Sequence, residues 1–390
     1  MRPYQDIRVI DLTHELGSYA ARLFGDLGAE VIRVEKSATS ADRSREPVTA
    51  GLGVSFEYFN VNKKSVVLDY TTTEGRAVLA DLIGSAGLVF YEPAEGDGEL
   101  LRLIRGVPGR RVVTVLSYFG TDGPYSDFRG SDLVAQAVGG IAWLTGNPDA
   151  PPLRLAGEQS FFVTSLYAAA ATSIALWDSE RSGKSHVLDV SAQECIAHSL
   201  QNAPQVYDLE RAIARRGGEG TRDATENIFA CKDGYVFVAA PLQLAKTWDA
   251  LVEWMCAEGG AAFEVLREPE WSDRIARRTS DLHARFRQLF EAFAANRTKR
   301  ELLETALARK VILAPVASVG ETLSDPQLQY RNFFQTVPHP LLGRDITFPG
   351  APYATSESIW AIETTAPVAG ANQSQLDEAG QKTAGVRRAG

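Results

Sequence analysis

Short apolar runs separated by helical patterns fill the first 117 residues, and this alternation most narrows the folds open to the chain. Residues 7–12 read as a strand, 19–27 as a helix, and Gly28-Ala29 turns the chain into a second strand at 30–35. A strand at 65–69, a helix over 74–83, and strands at 88–91 and 112–117 follow. Strands spaced by helices predict βαβ units and a parallel sheet with helices on both faces. Such an open α/β sheet binds ligands at the carboxyl ends of its strands. No GxGxxG follows the first strand, so the pattern by itself predicts no dinucleotide.

Beyond this region the signals change. Residues 160–177 form a small-residue helix ending at the basic turn Arg181-Ser182-Gly183-Lys184, followed by a strand at 187–190 and a helix through His198. The charged, Gly-rich stretch 211–222 reads as an exposed linker. Residues 228–240 read as a hairpin turning at Asp233-Gly234, and helices are predicted over 244–256 and 282–308. Four prolines punctuate a return segment at 328–353, and the Ala-, Gly-, Thr- and Gln-rich remainder reads as a poorly ordered tail. With 390 residues, two domains are expected: a large one over 1–200, a linker at 201–225 and a smaller α+β domain over 226–325. Residues 326–390 then return to the large domain.

A net charge of −9 argues against a nucleic-acid partner, which needs a basic face. The opening Met1-Arg2-Pro3-Tyr4 has no apolar signal region, and no run approaches the ~18 apolar residues of a membrane span. Cys195, Cys231 and Cys256 are odd in number and widely spaced, which predicts free thiols and a cytoplasmic setting. Neither the cysteines nor the five histidines show metal-ligand spacing, so no metal is expected.

The stretch Gly157-Glu158-Gln159-Ser160-Phe161-Phe162, leading into the small-residue helix, resembles the active-site segment of the class III CoA-transferases (CaiB/BaiF type). Other segments resemble the same family in the same order. They are Asp11-Leu12-Thr13-His14, residues 26–35, Asn62-Lys63-Lys64-Ser65 through Asp69, Gly120 to Tyr125, Gly130 to Ala137, Cys231 to Tyr235, and Leu323 to Gln327. The resemblance runs from about residue 7 to 353. It implies a ring-shaped chain in an interlocked dimer, with the Rossmann-like large domain built from both termini and a small α+β domain between.

In that family an Asp carboxylate attacks the acyl-CoA carbonyl, and the freed thiolate returns to form an aspartyl-CoA thioester. The resemblance sets Phe161 at this Asp, and a phenyl ring has no lone pair to donate. Two fallback acids remain. Glu158 lies three residues earlier, roughly 10 Å along an extended chain, and otherwise reads as a solvated loop acid. Asp132 matches a family acid, and otherwise reads as a helix N-cap. Ser131 replaces the His that serves the family's racemases as acid/base, which removes the racemase reading.

By resemblance, Lys36, Lys63, Leu68 and Arg129 match positions that touch CoA; by default they are surface cations and a strand Leu. The first loop, Gly17-Ser18-Tyr19-Ala20, is one residue shorter than the family's and lacks its Pro. The loop expected to hold the nucleotide carries Glu92, Glu95, Asp97 and Glu99 and no cation, which opposes a polyphosphate. The chain thus resembles the Asp-lacking subunit of the heterodimeric branch that acts on (R)-benzylsuccinate. Its expected partner is a homologous subunit carrying the Asp, which binds most of the CoA or acyl-CoA, with a carboxylic acid as acceptor. The alternatives are an active homodimer using a displaced acid, and a non-enzymatic acyl-CoA-binding protein on the same fold.

Overall fold

The computed structural model describes residues 1–94, 97–147, 149–216 and 222–376. The chain begins β1 (Arg8–Leu12), α1 (Ser18–Asp26) and β2 (Glu30–Glu35), then makes a small hairpin of β3 (Val48–Thr49) and β4 (Leu52–Gly53) and a short α2 (Val54–Phe59). β5 (Lys63–Val67), α3 (Thr73–Gly84), β6 (Leu88–Tyr91), α4 (Gly98–Gly106) and β7 (Val112–Ser117) follow. α5 (Asp132–Val138), α6 (Gln159–Ser182), β8 (His186–Ser191), α7 (Ala192–His198) and α8 (Ala203–Glu210) complete this part. Six strands pair in parallel in the order β5-β2-β1-β6-β7-β8. The order reverses between β1 and β6, which makes that point the switch where open α/β sheets take ligands.

Alternation along the strands divides the core. Val9 and Val31 face one side with Phe24, Phe161, Ala168 and Ala175 of α1 and α6. Ile10 and Ile32 face the other with Leu79, Leu82, Leu100 and Ile104 of α3 and α4. Both faces of the sheet are therefore covered, as parallel sheets require. α6 is long and apolar enough to cross a membrane by length and composition. It is nevertheless a core helix of this unit. The buried residues Phe161, Ser165, Ala168, Thr172, Ala175 and Ser179 recur at alternating steps of four and three, the stripe of a helix packed on one face. Ser165 Oγ donates to the Leu16 carbonyl at 2.5 Å, and the Thr172 and Thr114 hydroxyls meet at 2.6 Å. Gly183 then closes the helix at φ 74°, where a Cβ would be strained.

The chain divides into two compact units, one of residues 1–142, 154–211 and 326 onward, the other of 143–153 and 212–325. The second unit contains β9 (Asn227–Cys231) and β10 (Gly234–Ala239), joined at the Asp233-Gly234 turn, with α9 (Ala245–Gly259), α10 (Ser280–Ala294), α11 (Lys299–Arg309) and β11 (Ile312–Val316). Its core is aromatic, with Phe229, Trp254, Trp271, Phe286, Phe290 and Phe293 almost wholly buried. The single helix expected over 282–308 is two helices. Thr298 starts the second with a capping box: its hydroxyl accepts from the Glu301 N–H at 3.2 Å while Glu301 accepts from the Thr298 N–H at 2.8 Å.

Two further expectations are corrected. The segment 201–225 is not all linker: 203–210 is helical, and Asp223 and Thr225 are buried, with Arg277 donating to Asp223 Oδ1 at 2.7 Å. Residues 217–221 of that segment lie outside the described residues. After the hairpin of β12 (Phe334–His339) and β13 (Arg344–Pro349), the stretch read as a tail is docked through 376. Asn372 exchanges hydrogen bonds with the Ser65 backbone at 2.9 and 3.0 Å, and Gln373 with Val67 at 2.7 and 3.1 Å, covering the open edge of β5. Only 377–390 of the expected tail lies outside the described residues.

Candidate functional site

A cavity of about 760 Å³ opens at the switch point, lined by His14, Glu15 and Leu16 after β1, Tyr91, Glu92 and Asp97 after β6, and Tyr118, Phe119, Phe128 and Arg129 after β7. A larger one, about 970 Å³, lies at the opposite, amino ends of β1 and β2 around Arg8 and Glu30. The carboxyl-end cavity is the candidate, because it lies where open α/β sheets take ligands and gathers acidic, basic and aromatic side chains from three loops.

The first loop is held by an acid. Glu92 is buried, and its Oε2 accepts from the backbone N–H groups of His14 at 3.0 Å, Glu15 at 2.8 Å and Leu16 at 3.1 Å. Its Oε1 lies 3.5 Å from His14 Nε2. Glu92 thus fills a cradle of amides that anions favour, a role invisible when it is counted only as a loop carboxylate. Gly17 is needed where the loop enters α1, since a Cβ there would come 2.6 Å from the Thr13 side chain. The expected four-acid wall is also corrected. Glu99 pairs with Arg76 at 2.6 Å outside the cavity, and Glu95 lies outside the described residues. Among the described residues the cavity's carboxylates are Glu15, Glu92, Asp97 and Asp127.

Phe161 is 2% exposed in the first turn of α6. The Arg45 guanidinium lies over its ring, 5.1 Å from the centroid. Arg45 also pairs closely with Glu15 and, at 3.5 Å, with Glu158. Tyr118 donates to the other Glu15 oxygen at 2.6 Å, and burial together with that carboxylate pushes the phenol's pKa up. Glu158 is half-buried and paired, not a solvated loop acid. Burial raises its carboxyl pKa first, Arg45 opposes, and Asp132 and Glu15 add to the rise.

Asp132 is engaged elsewhere. Its Oδ1 accepts from the Ser160 N–H at 2.9 Å and the Ser160 hydroxyl at 2.8 Å, and its Oδ2 accepts from Gln136 Nε2 at 2.8 Å. The N-cap of α5 is Ser131, whose hydroxyl accepts from the Val134 N–H at 3.3 Å. Asp132 instead ties α5 to the start of α6, one residue before Phe161.

The four positions matched to CoA contacts are not gathered into one pocket: among the described residues only Arg129 lines the switch-point cavity. Lys36 is exposed just past β2, and Leu68 is buried past β5, its N–H bonded to the Glu35 carbonyl at 2.9 Å. The Lys63 ammonium is buried and gives its three donors to Asp11 Oδ2 (2.7 Å), the Ser18 carbonyl (2.8 Å) and Asn60 Oδ1 (2.9 Å). Burial pulls its pKa down to about 8, with Asp11 opposing. No group of three or more His, Cys, Asp or Glu able to hold a metal occurs among the described residues. Arg45, Glu15 and Tyr118 escaped the sequence reading because no motif or spacing joins positions 15, 45 and 118.

The chain is 34% identical over 385 residues to the succinyl-CoA:(R)-benzylsuccinate CoA-transferase subunit BbsE of Thauera aromatica, covering 96% of this chain and 93% of that one. It is 29% identical to a formyl-CoA:oxalate CoA-transferase of Streptomyces avermitilis, over 95% and 94% of the two chains. In fold it superposes on a CAIB/BAIF family protein from Brucella suis with a TM-score of 0.83 at 22% identity, covering 97% and 99%. The family description CoA-transferase family III matches residues 4–373, and the chain belongs to that family.

Proposed function

We propose that this chain is the non-acylated subunit of a heteromeric CoA-transferase that moves CoA between carboxylic acids. What supports the reading is Phe161: the residue that the resemblance sets at the family's nucleophile position is a buried phenyl ring under Arg45. Neither fallback acid replaces it, since Glu158 is paired to Arg45 and Asp132 is bonded to Ser160 and Gln136. The partner is a homologous chain carrying the Asp, interlocked with this one in a cytoplasmic dimer and holding most of the CoA. By analogy with the relative that serves (R)-benzylsuccinate, the donor is succinyl-CoA and the acceptor a benzylsuccinate-like acid.

The test is mass spectrometry of the native complex with tryptic identification of each chain after incubation with acyl-CoA. A second homologous chain bearing the Asp and its acyl or CoA adduct is expected. A homodimer with an adduct on Glu158 or Asp132 overturns the reading in favour of a displaced nucleophile, and acyl-CoA binding with neither adduct nor turnover favours a binding protein. Phe161→Asp alone is expected to restore no transfer, because Arg45, whose guanidinium lies over the ring at position 161, pairs with the new carboxylate. Measurable transfer by that variant would show an otherwise intact site.

A further inference from the structure

The loop after β7 carries three rings with no part in the reading above. Tyr125 and Phe128 stack with centroids 5.1 Å and planes 25° apart, and Phe119 meets both nearly edge-on at 5.9 and 6.3 Å. Although they pack on one another, Tyr125 is 47% and Phe128 60% exposed. Phe119 and Phe128 line the switch-point cavity. The corner they form is anchored. The Gly120 N–H donates to Ser117 Oγ at 2.8 Å, the Thr121 N–H to Asp189 of β8 at 2.8 Å, and the Phe128 N–H to the Tyr125 carbonyl at 2.9 Å. Gly130 lies flat on the Tyr118 ring, where a Cβ would fall 2.0 Å from a ring carbon.

Rings fixed before any ligand arrives require little ordering on binding, and an open aromatic face favours a planar ring at stacked or edge-on distance. Charge sets what that ring can carry. Among the described residues four carboxylates line the cavity, Glu15, Glu92, Asp97 and Asp127, with Arg129 as the arginine beside them, so a polyphosphate is disfavoured. A single carboxylate brings one charge rather than several against that lining, which also holds Arg129, next to Phe128 in the chain.

We propose that this corner seats the aromatic ring of an aryl carboxylic acid, with Phe128, backed by Tyr125, as the stacking platform. The assignment rests on the reading that this chain lends residues to the acid pocket of a CoA-transferase. Calorimetry on the full chain in its native complex, with 3-phenylpropanoate and its saturated counterpart 3-cyclohexylpropanoate as probes, tests it. The aromatic acid is expected to bind about three- to tenfold more tightly. Phe128→Ala is expected to abolish that preference and Phe128→Tyr to retain it. Equal binding of the two acids, or a preference that survives Phe128→Ala, overturns the proposal. So does hydroxyl-radical protection of Tyr125 and Phe128 in the ligand-free complex, which would make the corner a protein interface. The subunit reading fails on chain composition and adducts, this one on ring preference, so the two failures are distinguishable.

Discussion

The two halves of the same sheet edge have opposite characters. Along β2 and β5 the charges close on one another. Arg43 grips Glu35 with two bonds of 2.6 Å, Ser65 donates to Glu35 at 2.5 Å, Arg33 reaches the Thr13 carbonyl at 2.9 Å and pairs with Asp42, and Lys63 pairs with Asp11 at 2.7 Å. Past β6 and β7 the edge opens into the cavity, with two aromatic rings left in water. An open α/β sheet supplies a ligand-binding edge in general. Which part of the edge is usable depends on whether its buried polar groups are satisfied from within. Here Lys63, the first residue of β5, has its ammonium buried on Asp11, Ser18 and Asn60, so its match to a CoA-contacting position does not carry the contact with it.

The strongest way to break that contrast is Lys63→Met. Removing the ammonium leaves Asp11 buried without its nearest cation, and loss of one partner from a buried pair costs about 3–5 kcal/mol. Denaturant unfolding is expected to show a loss of that size, while Lys36→Met, exposed a few residues from the same edge, stays within about 0.5 kcal/mol. If Lys63→Met unfolds normally but weakens acyl-CoA binding to the complex, the closed half is a ligand site after all.

Much of this architecture was legible in the sequence for a physical reason. β6 and β7 are nearly continuous apolar runs, and β1 and β2 hold the apolar pairs Val9-Ile10 and Val31-Ile32, because both faces of a parallel sheet are covered, and such signals survive without long-range information. The break between α10 and α11 was also written in the chain, as Thr298-Lys299-Arg300-Glu301, but the apolar pattern continued across it and concealed the cap. Docking of 370–376 was not legible. It rests on Asn372 and Gln373 bonding the backbone of β5, and two amide side chains in a polar segment have no periodicity. In the site, Phe161 stood out only against a family pattern. Glu92 was visible as an acid, but the sequence does not say that three amides would close around it.

A second prediction sharpens the contrast through pH. Asp26, wholly buried at the end of α1, accepts from Arg22 at 3.1 Å and Asn62 at 2.7 Å. Burial outweighs these partners and pushes its carboxyl up to about 6 from 3.8. Between about pH 4 and 6 the folded chain therefore holds a proton that the unfolded chain releases, so this group's contribution to stability falls as pH rises through that window. The fall is about 3 kcal/mol at most. Unfolding midpoints at pH 4.5 and 6.5 are expected to differ less in Asp26→Asn than in the unaltered chain. Equal differences would mean that Asp26 ionises freely in the fold, and that burial on this side is shallower than the contacts imply.

The smallest effect bears on the open side and on the surviving acid alternative together. Asp132→Asn keeps an oxygen for the Ser160 N–H but removes the charge that strengthens its bonds at 2.8 and 2.9 Å, so the loss resembles that of a helix cap, about 1 kcal/mol. Because the carboxylate ties α5 to the turn of α6 that carries Phe161, a structural role lowers the unfolding midpoint and leaves transfer by the native complex unchanged. A nucleophilic role gives the reverse, with near-normal stability and transfer lost by orders of magnitude. Stability and turnover measured on the same preparation separate the two, since an Asn that is stable and inactive has lost chemistry, whereas one that is softened and active has lost a cap.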